Sequence, residues 1–300
     1  MEFRRYDDVG AFSSDVLDLL LENELLNNLP ISILTGTRDR YATGWLMATV
    51  VDKGMITHAA LCTKPFNLLL CEAGNTRRGG SRQDGDRQDG VELLAREIRR
   101  LGVDPPGLLA ERGLARRFAD AYTGGRVTIG DNTGGHMAVI EKSLVVMRLD
   151  KLDGYEKAPG YCRTLTALDM YFVPYWERSF SEECRTNAFS ISETAERIST
   201  RIIKNTHYIW EDQMPVSQAV NGRNTPNGAV INMVYTPPHF RGRGYATSVV
   251  AKLSGALLDS GKDFCCLFAD AGNPVAQNLY RKLGYYDVYT FDDITFSNHL

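Results

Sequence analysis

The stretch TPPHFRGRGYATSVVAKLSGALL, which runs from Thr236 to Leu258, joins a strand-like segment to a helix-like one. Its two consecutive prolines end the strand, because proline cannot donate a backbone hydrogen bond to a neighbouring strand. Gly242 and Gly244 leave backbone N–H groups uncovered, and Arg241 and Arg243 add positive charge beside them. The first N–H groups of a helix have no partner within it and carry the positive end of the helix dipole. The stretch therefore predicts an anion-binding site, most naturally for a pyrophosphate.

Three nucleotide-type sites compete for this stretch. A P-loop needs a Gly-Lys-[Ser/Thr] ending, which is missing here. The dinucleotide pattern G-x-G-x-x-G is met at its first two glycines, but its last position is Thr247; Asp270, after the next strand-like segment, could serve as the ribose-binding acid. The third pattern, R-x-x-G-x-A, is met by Arg241, Gly244 and Ala246.

A second pattern follows after one helix-like and one apolar strand-like segment, in NPVAQNLYRKLGYYDV. The pair of segments resembles the two coenzyme A signatures of the Gcn5-related N-acetyltransferases, the GNAT superfamily, R-x-x-G-x-[GA] and N-x-x-A-x-x-L-Y-x-K-x-G-F. Positions that agree with the second signature are Asn273, Ala276, Leu279, Tyr280, Lys282, Leu283 and Gly284, while Tyr285 replaces the more usual phenylalanine. The resemblance covers residues 160–300. The segments VYTPP and RGRGYA also look like the subgroup that includes glycine N-acyltransferase-like proteins.

The first half has a similar order of helix, strands, helices and strand, but no match to R-x-x-G-x-[GA]. It resembles the degenerate N-terminal domain of two-domain GNAT proteins. The polar, turn-rich segment DKLDGYEKAPG, residues 150–160, separates the halves. We therefore expect an α/β (α+β) fold with two tandem GNAT-like mixed sheets flanked by helices. A degenerate domain would span 1–155 and the coenzyme-binding domain 156–300.

Local patterns predict the individual elements. In the first half they indicate a helix over 13–28, a hairpin at Asp52-Lys53-Gly54, a surface loop over 76–90 and helices near 91–101 and 107–122. In the second half Thr166 and Asp169 fit a helix capping box. The helix would run to about Cys184, with a break at Pro174. Asn221-Gly222 and Asn227-Gly228 predict a loop between two strands.

The composition excludes several classes of protein. The 300 residues are 43% hydrophobic and 24% charged, with a net charge of −3. We expect no nucleic-acid partner, since such proteins usually carry a basic surplus, and no membrane partner, since no apolar run approaches the ~20 residues of a spanning helix. The charged N-terminal segment is unlike a signal peptide, so a cytoplasmic location is expected. The six cysteines lack CxxC spacing and the five histidines lie far apart, so we expect reduced thiols and no metal.

The resemblance implies a set of coenzyme-binding residues. Backbone N–H groups of the loop and the first helical turn, with two arginines, would hold the pyrophosphate, and the strand before the prolines would pair with the pantetheine arm. The residues are Val234, Tyr235, Thr236, Arg241, Gly242, Arg243, Gly244, Tyr245, Ala246, Thr247 and Asn273. A backbone N–H near Met233 or Val234 could stabilise the developing charge on the thioester oxygen.

Tyr280 occupies the family's position for the group that assists the leaving thiolate. The pKa of a free tyrosine is roughly 10 and that of a thiol roughly 8.5, so full proton transfer would be uphill. We therefore expect Tyr280 to donate a hydrogen bond in the transition state.

The general base is less well defined by the sequence. Trp176, Phe180 and Glu183 fall on one face of the helix after Thr166 and could line a substrate pocket with a carboxylate at its edge. Glu183 is thus the candidate base. Other candidates are Glu211, Asp212, His239 and the C-terminal carboxylate of Leu300.

These features together predict an acetyl-CoA-dependent N-acyltransferase that acts by direct attack of a primary amine, on a small molecule or a peptide, on the thioester. Acetyl-CoA would be a co-substrate. Two alternatives remain open at this point: a non-catalytic acyl-CoA sensor and a Rossmann-type dinucleotide binder. The sequence does not identify the amine, the acyl-chain preference or the oligomeric state.

Overall fold

The computed structural model describes residues 1–37, 43–74, 84–125, 127–129, 138–186 and 189–296. The chain forms two compact units. Unit 1 comprises Met1–Val145 together with the end of the chain from Tyr289, and unit 2 comprises Val146–Val288. The last strand therefore begins in unit 2 and ends in unit 1, whereas the sequence-based division had assigned it to the second half.

Each unit contains both strands and helices. Unit 1 holds β1 (Glu2–Tyr6), α1 (Val9–Leu21), α2 (Asn28–Gly36), β2 (Trp45–Asp52), β3 (Met55–Thr63), β4 (Leu68–Glu72), α3 (Asp84–Arg100), β5 (Gly107–Glu111), α4 (Arg112–Thr123), β6 (Val127–Ile129) and the start of β7 (Ala138–Leu149). Unit 2 holds β8 (Tyr161–Thr164), a 3-10 turn (Ala167–Tyr171), α5 (Val173–Glu183), α6 (Ile191–Lys204), β9 (His207–Asp212), β10 (Met214–Asn224), β11 (Gly228–Tyr235), a 3-10 turn (Pro238–Phe240), α7 (Tyr245–Asp259), β12 (Phe264–Asp270), α8 (Pro274–Arg281) and the start of β13 (Tyr286–Phe296).

Unit 1 is built on a mixed sheet with the strand order β1-β2-β3-β4-β5-β13. Neighbouring strands are antiparallel except β4 and β5, which are parallel. Alternate residues of β2, β3 and β4 enter two different clusters, one containing side chains of α3 and α4 and the other side chains of α1 and α2. Because successive side chains of a strand point to opposite faces, helices cover both faces of the sheet. The predicted hairpin joins β2 to β3, with Lys53 and Gly54 at φ 49° and 79°.

Three element predictions in unit 1 need correction. The helix predicted over 13–28 begins at Val9 and ends at Leu21. The segment Gly107–Glu111 is a strand rather than the start of a helix. A Cβ on Gly107 would lie 2.3 Å from the carbonyl oxygen of Ile294, so the glycine permits a close strand contact with a segment far away in sequence. The predicted loop over 76–90 is also too long, because α3 already begins at Asp84; residues 75–83 lie outside the described residues.

In unit 2 the paired strands follow the order β12-β11-β10-β9-β8. Only the pair β11–β12 is parallel. Ile209 on β9 packs with Val173 and Ile198 from α5 and α6. The next residue, Trp210, points to the other face, where its indole N–H donates to the carbonyl of Pro159 at 2.7 Å. Helix α7 also lies against β9, β10 and β11. Strands and helices are thus layered in this unit as well, which confirms the predicted mixed α/β fold class.

Two local predictions in unit 2 also need correction. Asn221-Gly222 does not form a loop but lies within β10, where the register with β11 shifts. A Cβ on Gly222 would lie 2.2 Å from Nδ2 of Asn232, so this glycine leaves space for a neighbouring side chain. The capping box of Thr166 and Asp169 is present, but it opens a 3-10 turn, and the α-helix starts at Val173 with Pro174 in its first turn.

The structure also describes the state of the cysteines, the grouping of potential metal ligands and the character of the helices. Cys62, Cys71, Cys265 and Cys266 are buried, and all six cysteines are free thiols. Throughout the described ranges no group of three or more His, Cys, Asp or Glu side chains could hold a metal ion. In the same ranges no helix has both the length and the apolar character needed to cross a membrane.

The C-terminal part of β13 is held in unit 1 by a buried carboxylate. Asp292 is 0% exposed and accepts hydrogen bonds from Ser143 at 2.6 Å, Arg116 at 2.8 Å and Arg112 at 3.2 Å. Burial alone would raise the pKa of Asp292, but the hydrogen bonds from Ser143 and Arg116 and the arginine charges outweigh burial and lower it. Ion pairs as well as backbone hydrogen bonds to β5 therefore hold the last strand in unit 1.

We expect Asp292→Ala to lower the free energy of unfolding by about 3 kcal/mol, because it breaks a buried ion pair. The pKa of Asp292 is lower in the folded than in the unfolded protein. Its contribution to the free energy of unfolding is therefore fully present above the unfolded pKa of about 3.9 and is lost as the pH falls through the folded-state pKa. Urea unfolding of the full chain at several pH values measures the effect. Asp287→Ala is the control, because Asp287 forms an exposed pair with Arg281 and should cost about 0–1 kcal/mol. Equal losses for the two variants would contradict the prediction.

Candidate functional site

The strands β11 and β12 lie side by side only over their first residues. Their parallel pairing joins Gly228 to Phe264 and extends to Val230 opposite Cys266, whereas β11 continues to Tyr235 and β12 to Asp270. Beyond Val230 the two strands diverge, and β11 offers backbone amide groups to the space between them. An extended chain of amides can add to such an edge as a further strand.

A β-bulge lies on β11 just within this free edge. Between the pairs Gln218–Tyr235 and Val220–Asn232, β10 advances by two residues and β11 by three. Met233, inside this interval, has φ 51°, a value that a side chain other than glycine seldom adopts. A bulge turns local N–H and C=O groups out of the regular ladder. It lies at the position where the sequence predicted a backbone N–H for the thioester oxygen.

The quoted loop connects this edge to α7 through a 3-10 turn. Gly242 and Gly244 have φ 78° and 77°, and a Cβ on Gly242 would meet no atom within 4 Å. The backbone N–H of Ser248 donates to the carbonyl of Gly244, which is the first hydrogen bond of α7. The N–H groups of the residues before Ser248 precede this bond and have no acceptor within the helix. Glycines and a bare helix N-terminus thus occur together as the sequence predicted.

Two hydrogen bonds, one buried and one partly buried, hold the start of α7 in place. The Tyr245 hydroxyl donates to Oδ2 of Asp212 at 2.5 Å, and this bond is the largest cause of a raised pKa for Tyr245. Ser248 Oγ accepts the backbone N–H of Ala158 at 2.8 Å. The segment that the sequence identified as a polar linker therefore has a structural role beside the loop.

Arg241 lies at the junction of the loop, β11 and α5. Its Nε donates to the carbonyl of Thr236 at 2.8 Å, and Nη2 contacts both carboxylate oxygens of Glu183 at 2.8 and 2.7 Å. The guanidinium also lies 5.8 Å from the centre of the Tyr235 ring. Both partners of the ion pair are nearly half exposed, at 46% for Arg241 and 45% for Glu183. An anion at the loop would compete with Glu183 for Arg241 or share it.

The second signature forms α8. Asn273 caps this helix by accepting the N–H of Ala276 at 3.0 Å, with Pro274 in the first turn. Tyr280 is buried, and its ring meets that of Tyr285 edge-on at 5.9 Å between centroids. Burial, and to a smaller extent Cys184, raise the pKa of Tyr280 well above its usual value. Its phenol therefore stays neutral across the physiological pH range and can donate a hydrogen bond.

The structure brings several predicted residues together. Arg241 contacts Thr236 and Glu183, and the Trp176 ring lies 6.2 Å from that of Tyr235. Cys184, which follows Glu183 in the chain, acts electrostatically on Tyr280. The C-terminal end of α5, the end of β11 and α8 therefore meet around one region of unit 2.

The other described candidates for the base each contact a neighbouring side chain. Glu211 accepts from Tyr161 and Arg163, and Asp212 accepts from Tyr245. The His239 ring lies at a tilt against the neighbouring ring of Phe240, with 4.1 Å between the centroids. Leu300 lies outside the described residues.

Two residues near the bulge were not predicted from the sequence. Gln218 and His207 are both 0% exposed and contact each other, with 3.2 Å between His207 Nε2 and Gln218 Oε1. Gln218 Nε2 lies 3.4 Å from the carbonyl oxygen of Met233. The one available signal was a pair of polar residues, Ser217-Gln218, in the otherwise apolar segment MPVSQAV, and their burial was not evident from the sequence.

Comparisons with known proteins agree with this description of the fold. Residues 212–291 match a family described as FR47-like protein. A GCN5-related N-acetyltransferase from Sphaerobacter thermophilus is 15% identical, with a TM-score of 0.63 over 98% of this chain and 95% of that chain. A GNAT-family acetyltransferase from Colwellia psychrerythraea is 9% identical, with a TM-score of 0.61 over 99% and 100%. A tandem GNAT protein from the clavulanic acid biosynthesis pathway is 14% identical, with a TM-score of 0.57 over 100% and 99%. A search of curated proteins gives no match.

Proposed function

We propose that unit 2 binds acetyl-CoA and transfers its acetyl group to a primary amine, as expected of a GNAT-superfamily member. Residues 212–291 match the FR47-like family, and the chain shares its fold with GNAT acetyltransferases. One observation carries the proposal: the Arg241–Gly244 loop leads into α7 beside the place where β11 and β12 diverge. A site for a pyrophosphate and an edge for an amide chain therefore adjoin each other. Coenzyme A contains both groups in one molecule.

The residues present fit this co-substrate. The open space at Gly242 lets an anion approach the backbone N–H groups of the first turn of α7. Arg241 and Arg243 are both exposed and would add charge-assisted hydrogen bonds. Val234, Tyr235 and Thr236 would pair with the pantetheine arm, and Tyr245, Ala246 and Thr247 would supply the helix terminus. Asn273 would act by capping the helix that carries Tyr280.

The acyl donor is a thioester, whose carbonyl oxygen gains negative charge when an amine attacks. A backbone N–H at the bulge, from Met233 or Val234, would stabilise that charge. The neutral phenol of Tyr280 would donate a hydrogen bond to the sulfur as negative charge develops there. Glu183 is the proposed base, since a lysine-like amine with a pKa of about 10.4 must lose a proton before it attacks.

The acceptor is proposed only as a primary amine, on a small molecule or a peptide. Release of free thiol from acetyl-CoA, measured over a panel of amines with the full chain, tests the proposal. Turnover with at least one amine is expected. Binding of acetyl-CoA without turnover on any amine would favour an acyl-CoA sensor, and stabilisation by NAD(H) but not by coenzyme A would overturn the assignment.

Arg241→Ala should raise the KM for acetyl-CoA at least about tenfold, because charge-assisted hydrogen bonds contribute about 1.5–3 kcal/mol. Steady-state kinetics and calorimetric titration with coenzyme A measure the effect. The matched control is Arg281→Ala, since the Arg281–Asp287 pair has the same 2.7 Å distance and a similar exposure. An unchanged KM in Arg241→Ala would place the pyrophosphate elsewhere.

Tyr280→Phe should lower kcat by about 10²–10⁴ and leave the KM for acetyl-CoA near that of the wild type, because the bond to sulfur strengthens only in the transition state. Since burial raises the pKa of Tyr280, its ionisation should produce no loss of activity up to about pH 10. The control is Tyr285→Phe, which removes another buried hydroxyl, bonded to Ser254 at 2.9 Å. A raised KM with unchanged kcat would make Tyr280 part of the wall of the site.

Glu183→Gln separates two roles for this carboxylate. If Glu183 is the base, kcat should fall by about 10²–10⁴. The control is Glu182→Gln, whose exposed carboxylate pairs with Arg178 instead. A change in the KM for acetyl-CoA with kcat intact would show that Glu183 only orients Arg241.

A further inference from the structure

We propose that Gln218 and His207 form a positioning pair that orients the peptide between Met233 and Val234, so that the Val234 N–H points toward the thioester oxygen. The inference rests on the proposed function. It assigns a role to two buried polar side chains that do not themselves touch the acyl donor.

The direction of each hydrogen bond follows from the chemistry of the groups. The Met233 carbonyl oxygen can only accept, so the amide nitrogen of Gln218 donates to it, across 3.4 Å. Oε1 of Gln218 can then only accept, so Nε2 of His207 carries the proton that it donates, across 3.2 Å. Catalytic hydrogen bonds are often long before the substrate is bound and shorten in the complex.

The other ring nitrogen of His207 fits this direction. Nδ1 is buried and has no hydrogen-bond partner in the described part of the chain, as expected for the unprotonated nitrogen of a neutral ring. Burial, followed by the charge of Arg201, lowers the pKa of His207 to about 3. The charged groups that act on it are Arg201 on α6 and Asp169 on the first 3-10 turn.

The geometry of the peptide bond transmits this orientation to the site. The Met233 carbonyl and the Val234 N–H belong to one planar trans peptide, so they point in opposite directions. Gln218 lies on β10, on one side of β11, and it draws the carbonyl toward itself. The Val234 N–H therefore points away from β10. It points toward the opposite edge of β11, which is the edge that diverges from β12.

The cost of the bulge explains why such a pair is needed. Met233 adopts a φ of 51°, and a non-glycine residue in this region is strained unless its surroundings hold it there. A bulge residue also loses its regular ladder partner. The hydrogen bond from Gln218 satisfies the Met233 carbonyl and favours one orientation of the peptide.

The test uses the full chain with acetyl-CoA carrying carbon-13 at the thioester carbonyl. In the wild type, infrared difference spectra should show a carbonyl stretch at lower frequency than in water, because the Val234 N–H polarises the bond. Gln218→Leu should remove most of this shift and lower kcat at least about tenfold, with the KM for acetyl-CoA within about twofold of the wild type.

Gln218→Glu provides a second variant of nearly the same shape. When protonated, the introduced carboxyl can donate to the Met233 carbonyl, and when ionised it can only accept. The shift and kcat should therefore be close to those of the wild type at low pH and be lost as the pH rises through the pKa of that carboxyl. A purely structural role for Gln218 would not give a reversible spectral change of this kind.

Thr225→Val is the control for general loss of stability. Thr225 Oγ1 is a buried acceptor for the N–H of Gly228, at 3.0 Å, in the turn that joins β10 to β11, so it belongs to the same strand pair. This variant should keep the full carbonyl shift. The positioning role would be overturned if all variants that bind acetyl-CoA showed the same carbonyl shift as the wild type. It would also be overturned if Thr225→Val lost as much of the shift as Gln218→Leu. Either result would leave the proposed function intact. Failure of the wild type to bind acetyl-CoA would overturn both.

Discussion

The divergence of β11 from β12 is the constraint on which the rest of unit 2 depends. The two parallel strands pair only from Gly228 to Val230, and the next five residues of β11 continue without that neighbour. Backbone groups at a strand edge need partners from water, from another strand or from a ligand. The divergence therefore creates an unfilled edge beside the helix N-terminus of α7, and the surrounding hydrogen bonds keep these two features in place.

Most of the polar side chains around this edge have structural partners. Tyr245 donates to Asp212, and Ser248 accepts from the backbone of Ala158, so the start of α7 cannot shift without breaking one partly buried and one buried hydrogen bond. Buried donors and acceptors are costly to leave unpaired. The anion site thus has a rigid support, whereas Arg241 and Glu183 form an exposed ion pair that a ligand can rearrange at low cost.

Unit 1 shows how the same kind of layered fold is stabilised without the loop motif. Its sheet is completed by β13, whose buried Asp292 pairs with Arg112 and Arg116. Removal of charges from water is expensive unless they are paired. The last segment of the chain, from Tyr289, is therefore needed for the packing of unit 1. All of unit 2 separates this segment in sequence from the rest of unit 1.

The sequence by itself determined the features that depend on neighbouring residues. The glycines and prolines around Arg241 specified a turn into a helix, and the continuous apolar segment before Asn273 specified a buried strand, because these signals act through local backbone conformation and local composition. Only the tertiary structure decided that Gly107 lies in a strand, that Asn221-Gly222 lies in a bulge, and that Gln218 reaches the Met233 carbonyl. Each of these depends on a contact with a residue distant in sequence, Ile294, Asn232 or Met233, and a local pattern carries no information about which strand will become its neighbour.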